Sequence, residues 1–92
     1  MSLLNDQLDV SRPWRLSARV SIREDAFGAL AYHHDSRRLV FLKSPALVDL
    51  VRRLGDFASA AEAISAIVPD AERGRYERAL SDLVRAGVLD VD

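Results

Sequence analysis

The sequence predicts an α+β domain of winged helix-turn-helix-like architecture, with a three-stranded antiparallel sheet followed by three helices. Three observations carry this reading. Between Arg15 and Lys43, apolar residues fall into short runs with strand-like alternation. From Ser44 onward they recur every three or four residues, between recognisable helix caps. A chain of 92 residues supports one hydrophobic core rather than two. The expected organisation is an N-terminal arm over residues 1–13 and a single domain over 14–92.

The arm, with Leu3, Leu4, Leu8 and Val10, shows no clear period. Pro13 holds Arg12 out of the helical region, and Trp14 is placed to anchor the arm on the body. The first strand is expected over Arg15–Arg23, where Leu16, Ala18, Val20 and Ile22 alternate with Ser17, Arg19, Ser21 and Arg23. Glu24-Asp25 turns the chain. Phe27–His33 makes a second strand, in which Gly28 signals a bulge or a close backbone approach. After the polar turn His34-Asp35-Ser36, a third strand runs from Arg37 to Lys43, apolar on both faces.

Ser44-Pro45 is an N-cap followed by proline in the first helical position. Leu47, Leu50, Val51 and Leu54 form the inward stripe of that helix, and Gly55 ends it. Ser59-Ala60-Ala61-Glu62 reads as a capping box opening a second helix, with Ala60, Ile64, Ile67 and Val68 inward. Pro69-Asp70 interrupts and recaps the chain. Tyr76, Ala79, Leu80, Leu83 and Val84 are the inward stripe of the third helix, which Gly87 ends; Val88-Leu89 can fold back onto the core.

Composition narrows the chemistry. The chain has no cysteine, so disulfides, thiolate metal sites and a cysteine nucleophile are excluded. No apolar run approaches the ~18 residues of a membrane span, and the N-terminus lacks signal-peptide features. The expectation is a cytoplasmic protein with no membrane association. Net charge is −1, but residues 12–43 carry seven basic and three acidic side chains while the flanks are acidic. That asymmetry fits an acidic partner as well as it fits an unevenly charged surface.

No catalytic constellation is present. The four glycines, at 28, 55, 74 and 87, form no phosphate or dinucleotide loop, and no serine sits in a G-x-S-x-G elbow. His33 and His34 are adjacent, so their side chains leave a strand on opposite faces and do not converge on one metal ion. The chain is read as a non-enzyme with no metal and no cofactor. Two binding readings remain. As a DNA-binding winged helix, the third helix is poorly suited, because Arg73, Arg75, Arg78 and Arg85 are balanced by Asp70, Glu72, Glu77 and Asp82. Pairs such as Arg73 with Glu77 and Arg78 with Asp82 are spaced to neutralise each other. As a peptide binder, the third strand offers a guest chain its backbone if it lies at a sheet edge; a central position is equally compatible with its pattern. A polar stripe of Arg75, Arg78, Asp82 and Arg85 adjoins the buried face of the third helix, so a cleft between the two elements has an apolar floor and a mixed-charge rim.

The stretches Arg23-Glu-Asp-Ala-Phe-Gly-Ala-Leu-Ala-Tyr-His33 and Arg37-Arg-Leu-Val-Phe-Leu-Lys-Ser-Pro45 resemble the mycofactocin-biosynthesis chaperone family. These are PqqD-like recognition domains for ribosomally made, modified peptides. The resemblance covers about Trp14 to Leu89. One departure is visible: Glu24 and Ala26 stand where the family's first turn has prolines.

The resemblance implies a non-catalytic chaperone that binds the leader of a precursor peptide and delivers it to a radical S-adenosylmethionine enzyme. By position, it implies peptide contacts at Arg37, Arg38, Leu39, Val40, Phe41, Leu42 and Lys43, and at Arg75, Arg78, Ala79 and Asp82. Nucleic acid is not an implied partner. A homodimer is left open.

Overall fold

A computed structural model describes residues 8–91 of the chain. The element order is β1 (Trp14–Leu16), β2 (Val20–Asp25), β3 (Gly28–His33), β4 (Leu39–Leu42), α1 (Pro45–Arg53), α2 (Ala60–Ile67), α3 (Arg73–Arg85) and β5 (Leu89–Val91). β2, β3 and β4 form an antiparallel sheet in that order, as the sequence predicts. The three helices follow, with α2 and α3 separated by a 3-10 turn at Asp70–Glu72.

The first strand differs from expectation. Its alternation runs unbroken through Arg23, yet the strand is cut into β1 and β2 by a turn at Ser17. The Ser17 N–H donates to Val88 O at 2.8 Å, its carbonyl accepts from Val20 N at 3.1 Å, and its hydroxyl accepts from Arg19 N at 3.1 Å. Ser17 is therefore buried and satisfied, while Ala18 is exposed, the reverse of the alternating assignment. The cut frees β1 to pair antiparallel with β5, with Trp14 opposite Val91 and Leu16 opposite Leu89. Val88-Leu89 does fold back, and it does so by making this second, two-stranded sheet.

α1 and α2 begin at their serine caps, and α3 ends at its glycine. Ser44 Oγ accepts from Leu47 N and Ser59 Oγ from Glu62 N, both at 3.2 Å. The first free N–H groups of α2 go to the arm: Ala60 N donates to Arg12 O at 3.0 Å and Ala61 N to Val10 O at 2.8 Å. Trp14 anchors that arm, its indole N–H donating to Asp9 O at 2.8 Å. Of the arm's expected apolar contacts, Leu8 and Val10 pack on the core; Leu3 and Leu4 lie outside the described residues. At the end of α3, Gly87 takes φ 81°, with Gly87 N on Val84 O and Val88 N on Leu83 O. That is a Schellman termination, and it aims the chain into β5. Asp70 and Gly55 behave differently from expectation. Asp70 makes no side-chain cap, and Gly55 lies inside a 3-10 turn, Leu54–Asp56, that extends α1.

The core lies between the inner face of the sheet and the helices. Ala29, Ala31 and Leu42 meet Leu50, Val51 and Leu54 from α1 and its extension, Ala60, Ala63 and Ile64 from α2, and Leu80 from α3. Fully burying one of the larger of these side chains contributes roughly 1.5–3 kcal/mol. Ala60 and Ala63 are wholly buried, small enough for the helices to approach closely.

Candidate functional site

The β4 strand is an edge strand, hydrogen-bonded to β3 alone among the described residues. The ladder phase fixes which of its backbone groups are free. His33 N donates to Arg38 O at 3.0 Å, so the hydrogen-bonded pairs of β3 and β4 step on in twos to Ala31 with Val40 and Ala29 with Leu42. On the other side of β3, His34 N donates to Arg19 O at 2.8 Å, and the alternate residues face β2. Leu39 and Phe41 consequently turn their N–H and C=O groups to the open edge, while those of Val40 are spent on β3.

That edge borders a cleft of about 560 Å3, closed on its far side by α3 and at its base by the start of α1. The cleft brings together six of the expected site residues: Val40, Phe41 and Lys43 from the strand side, Arg75, Ala79 and Asp82 from α3. Ser44, Leu47, Tyr76 and Leu83 complete the wall. Periodicity assigns the last three to the core stripe; the same side chains form core on one side and cleft floor on the other. The remaining expected residues lie off the wall. Leu42 is wholly buried, Leu39 faces out from the sheet at 61% exposure, and Arg37, Arg38 and Arg78 are exposed and outside the cleft lining.

Electrostatically the rim is mixed. Asp82 pairs with Arg85, one helical turn on, rather than with Arg78 as the spacing suggested. Arg75 lies 3.4 Å from Glu72, with its guanidinium 5.8 Å from the Tyr76 ring centroid. Arg73 and Glu77 form the expected pair at 3.2 Å. Arg37, Arg38, Lys43 and Arg78 make no ion pair among the described residues. On the strand side of the cleft, the wall therefore carries the unpaired charge of Lys43.

The hairpin carrying β4 is held at its tip by His33, whose Nδ1 accepts from Asp35 N and Ser36 N, each at 3.2 Å. His34 instead reaches Ser21 Oγ at 2.6 Å. The two imidazoles serve separate local bonds. Arg37, closing the same loop, adopts φ 60°, the one left-handed non-glycine residue among those described.

An open strand edge above an apolar cleft with a mixed-charge rim is the geometry of an α+β domain able to accept an extended guest segment. Residues 13–90 match the family model of the peptide chaperone MftB family, and the chain belongs to that family. It is 42% identical to the peptide chaperone MftB of Mycobacterium ulcerans (strain Agy99) over 82 residues, 88% of this chain and 75% of that protein. Identity to the peptide chaperone MftB of Mycolicibacterium smegmatis is also 42%, over 88% of this chain and 78% of the relative. The namesake from Mycobacterium tuberculosis (strain ATCC 25618 / H37Rv) is 36% identical over 86 residues, 92% and 79% of the two chains. No solved structure matches.

Proposed function

We propose that this chain is a non-catalytic chaperone of mycofactocin biosynthesis, which binds the leader of the precursor peptide as an added strand along β4 and delivers it to a radical S-adenosylmethionine maturase. The observation that carries the reading is the outward aim of the Leu39 and Phe41 backbone groups along the mouth of the cleft. Backbone pairing is sequence-tolerant and contributes about 0.5–1.5 kcal/mol net per bond. Selection then comes from leader side chains entering between Phe41, Leu47 and Ala79, where apolar burial contributes about 25 cal/mol per Å2. Arg37, Arg38 and Lys43 attract an acidic leader and speed its arrival; Arg78, off the wall, adds only long-range charge.

Filling the cleft tests this. Ala79 is half-buried where α3 faces the cleft, so Ala79→Phe extends a ring into the cleft. Calorimetric titration with the synthetic leader is expected to show affinity reduced at least about tenfold, the loss typical of removing a central contact, with cooperative melting retained. A folded Ala79→Phe chain binding the leader with wild-type affinity removes the cleft from the mechanism.

A further inference from the structure

The sheet has a second exposed apolar surface, on the face turned away from the core. Register sets Leu30 opposite Phe41 and Tyr32 opposite Leu39 across β3 and β4, and Arg23 opposite Leu30 across β2 and β3. These residues share the outer face, because Ala29, Ala31 and Leu42, of the other parity, are buried. Leu30, Leu39 and Phe41 are 40%, 61% and 47% exposed. Arg23, Leu30, Tyr32 and Leu39 line a shallow groove of about 380 Å3. Several large apolar side chains exposed side by side mark an interaction surface rather than ordinary scatter.

Charge indicates what covers it. Arg23 in the groove makes no ion pair among the described residues, and Arg37 and Lys43, just beyond the two ends of β4, add unpaired positive charge along the border this face shares with the cleft. The neighbouring carboxylates are already engaged: Glu24 with Arg52 at 2.6 Å, Asp35 with Arg19, and Asp25 with the N–H of Phe27 at 2.8 Å. The complement of such a face is an apolar ridge flanked by acids. Three strands at a spacing of about 4.8 Å leave a face roughly 10 Å wide, close to the diameter of one α-helix.

We propose that this outer face docks an acid-flanked amphipathic helix of the maturase, on the opposite side of the sheet from the core. The proposal rests on the reading above, but uses a different surface. Phe41 borders both, so a leader strand laid along β4 lies beside the docked helix, and hand-over needs no transit across the domain.

The test uses the full chain with purified maturase and, separately, synthetic leader. Arg23→Glu and the double variant Arg23→Glu/Leu30→Glu change only outer-face residues. Both are expected to weaken maturase binding at least about tenfold, leaving leader affinity within about twofold because the cleft is untouched. The single variant decides the matter should the double one fail to fold. A folded variant that binds the maturase like wild type overturns the docking face. So does a wild-type chain that binds the leader but not the maturase, or one that retains duplex DNA through Arg23 and ignores the enzyme. Failure of the wild-type chain to bind any leader strikes the chaperone reading instead, and the maturase arm still decides the docking face.

Discussion

Gly28 lies against the backbone of Leu42: a Cβ added to it would stand 2.0 Å from the Leu42 carbonyl oxygen. The same glycine has φ 150°, immediately after the two-residue turn Ala26-Phe27, which contains no left-handed residue itself. Gly28→Ala therefore meets both steric overlap with backbone and a poorly tolerated dihedral. The expected loss is about 2–3 kcal/mol, and each lost kcal/mol lowers the melting temperature by roughly 4–8 °C in a domain of this size. Thermal circular dichroism reads it. Gly74→Ala is the contrast: the added methyl meets only the mobile end of Arg78, at 3.7 Å, and is expected to stabilise α3 by about 0.5–1 kcal/mol.

Ladder phase makes two adjacent prolines behave in opposite ways. Val40→Pro deletes a bond to Ala31 inside the sheet and is expected to lower stability. Phe41→Pro removes an N–H that faces the open edge, so the fold tolerates it while strand addition of the leader is lost. Phe41→Ala separates the ring from the N–H, retaining the donor and losing only apolar contact. Equal leader affinity in Phe41→Pro and Phe41→Ala excludes a guest bond at that position.

Arg37 holds a left-handed backbone at a cost of about 1 kcal/mol relative to glycine. Arg37→Gly is expected to raise stability by about 0.5–1 kcal/mol while slowing association with an acidic leader. Stopped-flow rates at low and high salt measure it: the difference between variant and wild type shrinks as salt screens the charge. An unchanged low-salt rate removes Arg37 from the steering.

Hydrogen bonds from the Ser11 hydroxyl and then the Ser11 N–H hold the Asp9 carboxyl below its ordinary value of 3.8, with the Arg12 charge adding to them. A lowered folded-state pKa gives stability that is present above the unfolded value and lost as pH falls through the folded one. Acidification below about pH 3.8 is thus expected to loosen the arm turn and alter Trp14 fluorescence, since Trp14 bonds to Asp9 O. Asp9→Asn is expected to remove this pH dependence.

The caps at Ser44 and Ser59, the Gly87 stop and the close approach at Gly28 were legible in sequence because each is a local requirement of one or two residues. The split at Ser17 was not. It depends on a hydrogen bond to Val88, more than seventy positions away, and the period-two pattern on either side happens to stay in phase. For the site, β4 could be found but not its place in the sheet, since apolar residues on both faces suit a covered centre or an edge over a cleft. Tyr76, Leu47 and Leu83 were recognisable as buried, but a helical stripe does not show where the neighbouring element stops short and leaves a gap.

Because Leu89–Val91 complete a ladder begun at Trp14–Leu16, the two-stranded ribbon joins segments separated by almost the whole domain. Closing so long a loop carries a large entropy cost, and non-local pairings of this kind form late in folding. On the ribosome, β1 therefore waits for its ladder partner until Val91 has emerged, and a nascent chain stopped before Leu89 retains an unpaired strand at Trp14–Leu16.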